Sequence, residues 1–247
     1  MQDMKIIAIA NQKGGTAKTT TTATLGVLLS RRGFQVHLVD MDPQASLTRT
    51  FGKADASDHL YASLTNRAGL PIEPVAMNLS LSPSTIELAR VESELITEPG
   101  REYFLRTALE RTELRDNTVV LLDCPPSLGI LAVNCLSAAG GVIVVVQPGG
   151  FELHAVIHLD MTIRAIQERV NPDLTVLGTV LTNCHKRRAI TERVQEEIGQ
   201  VHNVLGSIRA DAKLLYATTA GTLPKLKRSN ALADYAGVAE ELRMLIA

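Results

Sequence analysis

The feature that most constrains this chain is Asn11-Gln12-Lys13-Gly14-Gly15-Thr16-Ala17-Lys18-Thr19-Thr20. It sits between an apolar run, Ile6 to Ala10, and a helix-forming stretch, Thr21 to Ser30. A buried strand, a glycine loop, Lys-Thr and a helix, in that order, are the context of a phosphate-binding loop. Small residues let backbone N–H groups turn inward around an anion, and the helix N-terminus adds positive potential. On this reading residues Gly14, Gly15, Thr16, Ala17 and Thr20 line the cradle. Lys18 reaches the β- and γ-phosphates, and the Thr19 hydroxyl holds Mg²⁺. The loop departs from the G-x-x-x-x-G-K-[ST] form, because Gln12 and Ala17 stand where that pattern has glycines, and Lys13 adds a cation at its start. A Cβ at Ala17 costs nothing at helical φ and is expensive at positive φ.

The rest of the chain fits a layered α/β domain spanning residues 1–247. Phe34 to Asp40, Thr118 to Asp123, Gly141 to Val146, Thr175 to Thr182 and Val204 to Arg209 read as further strands. Runs as apolar as Val119 to Leu122 and Val142 to Val146 belong to a mostly parallel twisted sheet covered by helices on both faces. Helices are expected over residues 85–97, 101–114, 128–139, 151–170 and from Lys186 to about Gln200, with a last amphipathic one from Ala231. Residues 51–78 carry many turn formers and resist assignment. Carboxylates close two of the strands, as Asp40-Met41-Asp42-Pro43-Gln44 and as Asp123-Cys124-Pro125-Pro126-Ser127. Ligands of open α/β sheets bind at such strand ends. The alternative for Asp40 and Asp42 is to cap the following helix, and Asp40 fits that alternative better.

Charge is uneven although the net is -1. Between Lys186 and Arg228 nine Lys/Arg face four Asp/Glu, so this third carries +5 and the remainder -6. Such a segment is either a phosphate-binding face or a solvated helix surface. Cys124, Cys135 and Cys184 are odd in number, lack metal spacing and read as reduced thiols. No apolar run is long enough to span a bilayer, and the opening residues do not read as a signal peptide.

Lys-Gly-Gly-x-x-Lys-Thr-Thr resembles the deviant phosphate loop of the ParA/MinD class of P-loop ATPases. Asp40-x-Asp42-Pro43-Gln44 resembles the first switch of ParA proteins, and Asp123-x-Pro125-Pro126-Ser127 the second. The resemblance runs over nearly the whole chain and implies ATP and Mg²⁺ as ligands and ATP hydrolysis as the reaction. It implies an ATP-bound homodimer in which Lys13 crosses to the partner's nucleotide, in the manner of an arginine finger supplied in trans. Asp42 then positions the attacking water, Asp40 and Asp123 support the metal, and Asn183 faces the adenine. Lys186, Arg187, Arg188, Lys213, Lys225, Lys227 and Arg228 become the DNA-binding surface, sequence-independent through phosphate contacts. A ParB-like protein is the expected stimulating partner, and the location is cytoplasmic and nucleoid-associated. The short Soj form is the expected subtype, since no helix-turn-helix extension precedes the loop.

Three rivals share these motifs. A related ATPase could position a protein cargo instead of DNA. A MinD-like regulator would need a basic amphipathic anchor, but residues 231–247 carry one cation, Arg243, against Asp234, Glu240 and Glu241, so no membrane is expected. A metabolic P-loop synthetase would need a small-molecule motif that is not visible.

Overall fold

The computed structural model describes residues 4–56, 59–149, 152–184 and 189–246. Its strands are β1 (Lys5–Ala10), β2 (Val36–Asp40), β3 (Glu73–Ala76), β4 (Leu79–Ser82), β5 (Val119–Asp123), β6 (Gly141–Val146), β7 (Thr175–Cys184) and β8 (Val204–Arg209). They form one sheet in the order β3-β4-β2-β5-β1-β6-β7-β8. All the pairings are parallel except that of the edge strand β3 with β4. Chain order departs in both directions from β1, so the end of β1 is a topological switch point, where such sheets leave a crevice.

The helices are α1 (Lys18–Arg31), α2 (Ser46–Thr50), α3 (Leu60–Thr65), α4 (Ala89–Glu94), α5 (Phe104–Glu110), α6 (Ile130–Ala138), α7 (Glu152–Arg169), α8 (Ala189–Gly199), α9 (Ala212–Thr219) and α10 (Asn230–Ile246). Because strand side chains alternate in direction, each central strand feeds two cores. Ile7, Ile9, Leu121, Ile143 and Val145 face the layer of α1, α9 and α10. Ala8, Ala10, Val120, Leu122 and Val144 face α3 to α8. Each fully buried Leu, Ile or Val contributes about 1.5–3 kcal/mol relative to exposure. Gly26 lets α1 press on β2: a Cβ there would stand 2.7 Å from a Leu38 methyl. On α10, Tyr235 is fully buried, and its hydroxyl lies 2.8 Å from Thr21 Oγ1 of α1.

Two expected helices are broken. Residues 85–97 give a 3₁₀ turn, Ile86–Leu88, followed by α4 alone. Only Leu88, Val91 and Leu95 of that stretch are buried, while Ile86 and Ile96 lie in solvent, so the apolar stripe is too narrow to hold a longer helix. Residues 101–114 give a turn, Arg101–Tyr103, and α5. Past its end Thr112 donates to Ala108 O at 2.7 Å and accepts from Leu70 N at 2.8 Å, tying the chain to its neighbour.

Candidate active site at the end of β1

Two buried side chains, one from the loop itself and one from β7, moor the glycine loop to the sheet. The Asn11 amide donates to Val145 O of β6, and its Oδ1 accepts Lys13 N at 3.1 Å. From β7, Thr182 Oγ1 donates to Thr16 O at 2.8 Å. Between these points Lys13, Gly14 and Gly15 are exposed. Gly15 takes a left-handed φ of 75° and Ala17 one of 66°. The costly case for Ala17 is therefore the one realised. Ala17 is also the N-cap of α1 and offers no side-chain cap, so the first-turn N–H groups are left for an anion.

Lys18 opens α1, is 7% exposed and folds back so that Nζ donates to Lys13 O at 3.3 Å. Burial lowers its pKa, opposed by the nearby Asp123 charge. An ammonium resting on its own loop is positioned to turn to a phosphate. Thr19 and Thr20 lie half-buried beside it.

The two carboxylates at the ends of β2 and β5 are register partners. Both are fully buried, and burial pushes both carboxyls up, Asp123 further because Asp40 stands beside it. Their hydrogen bonding differs. Asp40 is saturated: Oδ2 accepts Thr48 N at 2.8 Å and Thr48 Oγ1 at 2.7 Å, and Oδ1 accepts Asp42 N at 3.2 Å. It thus ties the first turn of α2 to the sheet, which is the capping alternative. Asp123 Oδ1 accepts Thr22 Oγ1 at 3.2 Å, while among the described residues Oδ2 is buried with no hydrogen-bond partner within normal distance, and the Thr19 hydroxyl nearby opposes the upward shift of the carboxyl. Among the described residues no three His, Cys, Asp or Glu converge into a metal cage. That suits Mg²⁺, which takes one or two protein ligands and completes its shell with phosphates and waters. The orphaned Asp123 oxygen behind Thr19 fits such an ion.

Asp42 is half-buried, its Oδ1 accepting Gln44 N at 2.9 Å, and Ser84 Oγ holds its carbonyl at 2.9 Å. Asp42 and residues 14–20 line one cleft of about 470 Å³. Pro126 of the second acidic motif lines it too, and the sequence did not reveal the remaining walls: Ser46, Arg49 and Thr50 of α2, and Leu215, Thr218 and Thr219 of α9. Spacing 46, 49, 50 is one face of a helix, a signal legible only once α2 is recognised. Asn183 does not appear on the described lining of this cleft. It sits at the end of β7 with φ 51°, exposed, its amide donating to Gln147 Oε1 at 3.1 Å.

On the same helical layer a second groove, about 760 Å³, brings Lys213, Lys227 and Arg228 together. Arg31, the last residue of α1, joins them and donates to Pro224 O at 3.0 Å and Leu226 O at 2.8 Å, holding the basic turn. Lys225 is exposed on that turn. Lys186, Arg187 and Arg188 lie outside the described residues. Arg209, at the end of β8, is committed to Asp234, with bonds of 2.8 and 2.7 Å. Among the described residues no helix is long and apolar enough to cross a membrane.

A moored glycine loop, an inward lysine, two strand-end acids and an uncapped helix at the switch point define a P-loop ATPase. Residues 4–176 match the profile of an AAA domain family. The chain belongs to the Soj/ParA group of partition ATPases: it is 40% identical over 199 residues to the sporulation initiation inhibitor protein Soj of Bacillus subtilis, covering 78% of each chain. It is 38% identical over 205 residues to the chromosome partitioning protein ParA of Caulobacter vibrioides, covering 79% of this chain and 75% of that one. Among solved structures, a Mycobacterium smegmatis protein titled cobyrinic acid a,c-diamide synthase, with bound ATP analogue and magnesium, superposes with a TM-score of 0.84 at 32% identity. The match covers 97% of this chain and 94% of that one.

Proposed function

We propose that this chain is an ATP-dependent partition ATPase that binds DNA without sequence preference while ATP joins two copies of it. The observation that carries the reading is the contrast between the loop's two lysines: Lys18 is buried against its own loop, and Lys13 is exposed beside the same cleft. A cation held at the mouth of a nucleotide site, with no ion-pair partner among the described residues, is free to reach a second subunit's triphosphate.

Within each subunit the uncapped turn and Lys18 bind the phosphates. Thr19 is the metal's hydroxyl ligand, with Asp123 and Asp40 behind it, and Mg²⁺ supplies charge neutralisation when bound. Asp42 orients the attacking water from the mouth of the cleft. Asn183 takes the adenine, because β7 lies on the other side of β1 from the acids. The groove of Lys213, Lys227 and Arg228, together with Lys186, Arg187, Arg188 and Lys225, meets the DNA backbone. Pairing two such grooves raises affinity through effective concentration. A ParB-like protein stimulates hydrolysis and releases the dimer, on the nucleoid in the cytoplasm. The relatives named Soj and ParA support this assignment. The rival is a metabolic P-loop synthetase like the mycobacterial neighbour, which would need a second substrate beside the nucleotide.

The test is DNA binding at low salt with ATP, ADP and no nucleotide, in the chain as it stands and in Lys13→Ala. ATP-dependent binding that Lys13→Ala abolishes while still binding ATP is the expected result. Nucleotide-independent affinity, or full partner-stimulated turnover by Lys13→Ala, would sink the trans role.

A further inference from the structure

A cation of the cleft that the partition reading does not use is Arg49. It stands on the fourth residue of α2, shares the cleft lining with Lys18, Thr19 and Asp42, and is exposed. Among the described residues its guanidinium donates to Ser46 Oγ at 3.2 Å, one turn back on its own helix, and it enters no ion pair. An arginine without an acid, in a cleft built for phosphate, is the donor set that pairs bidentately with phosphoryl oxygens.

We propose that Arg49 is a contact to the terminal phosphate of ATP, supplied by the same subunit; the proposal rests on the ATPase reading above. Two features fix which end of the nucleotide it meets. The first is topology. β2, which leads into α2, lies on the β5 side of β1, and β7, which carries Asn183, lies on the β6 side. Arg49 is therefore on the side of Asp42 and Asp123, where the bond to be hydrolysed lies, and away from the base. The second is rigidity. Thr48, the residue before Arg49, is held to the sheet by both its N–H and its hydroxyl through Asp40. Asp40 thereby acts as a positioning residue: it fixes the short helix that presents the guanidinium, which needs such support to be preorganised. Ser46 Oγ steers the side chain from the same face.

A terminal-phosphate contact separates ATP from ADP, and a structural arginine does not. The test is a titration of the full chain with a fluorescent non-hydrolysable ATP analogue and with the matching ADP derivative, for wild type, Arg49→Gln and Arg49→Lys. Arg49→Gln should weaken the triphosphate about tenfold, as loss of one charge-assisted contact does, and leave the diphosphate within about twofold. Arg49→Lys, a point charge in place of a fork, should fall between. Equal weakening of both nucleotides, or no change in either, overturns the proposal. Thermal melts check folding, and should Arg49→Gln not fold, Arg49→Lys carries the same ratio test. If wild type itself binds neither nucleotide, the ATPase reading falls as well. If wild type binds both and only the ratio is unmoved, Arg49 alone is refuted.

Discussion

Two buried polar groups of the central sheet, His37 in the middle of β2 and Asp123 at the end of β5, are treated by the fold in opposite ways. His37, in mid-strand, is complete. Its Nδ1 lies 2.8 Å from Ser80 Oγ and its Nε2 2.8 Å from Ser82 Oγ, both on the adjacent β4. Ser82 Oγ itself donates to Pro71 O at 2.6 Å, so it accepts from Nε2–H, and Nδ1 is the acceptor toward Ser80. Burial pushes this imidazole down to about 4. At the strand's end Asp40 is saturated, but its register partner Asp123 on β5 keeps an oxygen with no hydrogen-bond partner among the described residues. Buried polar groups are normally paired. A satisfied group in the middle of a sheet and an unsatisfied one at its C-terminal edge therefore separate structure from function on two paired strands.

The largest effect should come from breaking the satisfied member. His37→Ala leaves one buried serine hydroxyl, one half-buried one and a cavity, and should cost about 3 kcal/mol in urea unfolding, while the folded fraction keeps its nucleotide affinity. The same residue sets a pH window. Its folded pKa lies below the unfolded value, so the unfolded chain binds more protons. Stability present above pH ~6.5 is then lost as pH falls toward 4, by up to about 3 kcal/mol. The two buried carboxyls slope the other way, so the readout is the stability difference between wild type and His37→Ala, which should shrink as pH falls from 7 to 4; a difference that stays constant would contradict the assignment.

Removing the unsatisfied charge should act in the other direction. Asp123→Asn is expected to lower ATP turnover roughly 10–100-fold through the metal's surroundings. It should also raise the melting temperature of the nucleotide-free protein by about 2–4 °C, near 1 kcal/mol at this size. The carboxyl's folded pKa is raised, so the native state binds the extra proton and this group's contribution to stability falls as pH rises. That slope should be absent from the variant. A variant that melts lower than wild type without nucleotide would show that Asp123 is a structural group like His37.

How much of this was legible in the sequence follows the same division. The places of Lys18, Thr19, Asp42 and Asp123 around the end of β1 were readable because each lies at a fixed offset from a strand end, where motif and topology coincide. The continuous strands β5 and β6 were readable because both their faces are apolar. Arg49 was not, because α2 is a five-residue helix whose start is set by Asp40 from eight positions away rather than by a local cap. The breaks near residues 88 and 104 were missed because a list of apolar residues does not say which ones reach the core: Ile86 and Ile96 do not. Arg31 escaped notice because its role is to hold backbone carbonyls of a distant turn, which no pattern around it encodes.

The smallest expected effect tests whether the site end of the sheet carries backbone strain as well as an unpaired charge. Ala17, at φ 66° and ψ 29°, is the N-cap of α1, and Ala45, at φ 52°, is the N-cap of α2; neither has a side-chain cap. A left-handed alanine costs roughly 1–2 kcal/mol, and glycine returns part of that through the greater freedom of its unfolded chain. Ala17→Gly should therefore stabilise by up to about 1 kcal/mol, seen as a small rise in melting temperature without nucleotide. The Ala8→Gly substitution in the middle of β1, where φ is extended and the methyl is buried, should destabilise. ATP affinity of Ala17→Gly should stay close to wild type, since the N–H groups that face the phosphates are unchanged. A fall in melting temperature for Ala17→Gly would mean that the methyl is packed rather than strained, and the two ends of the sheet would then differ in charge alone.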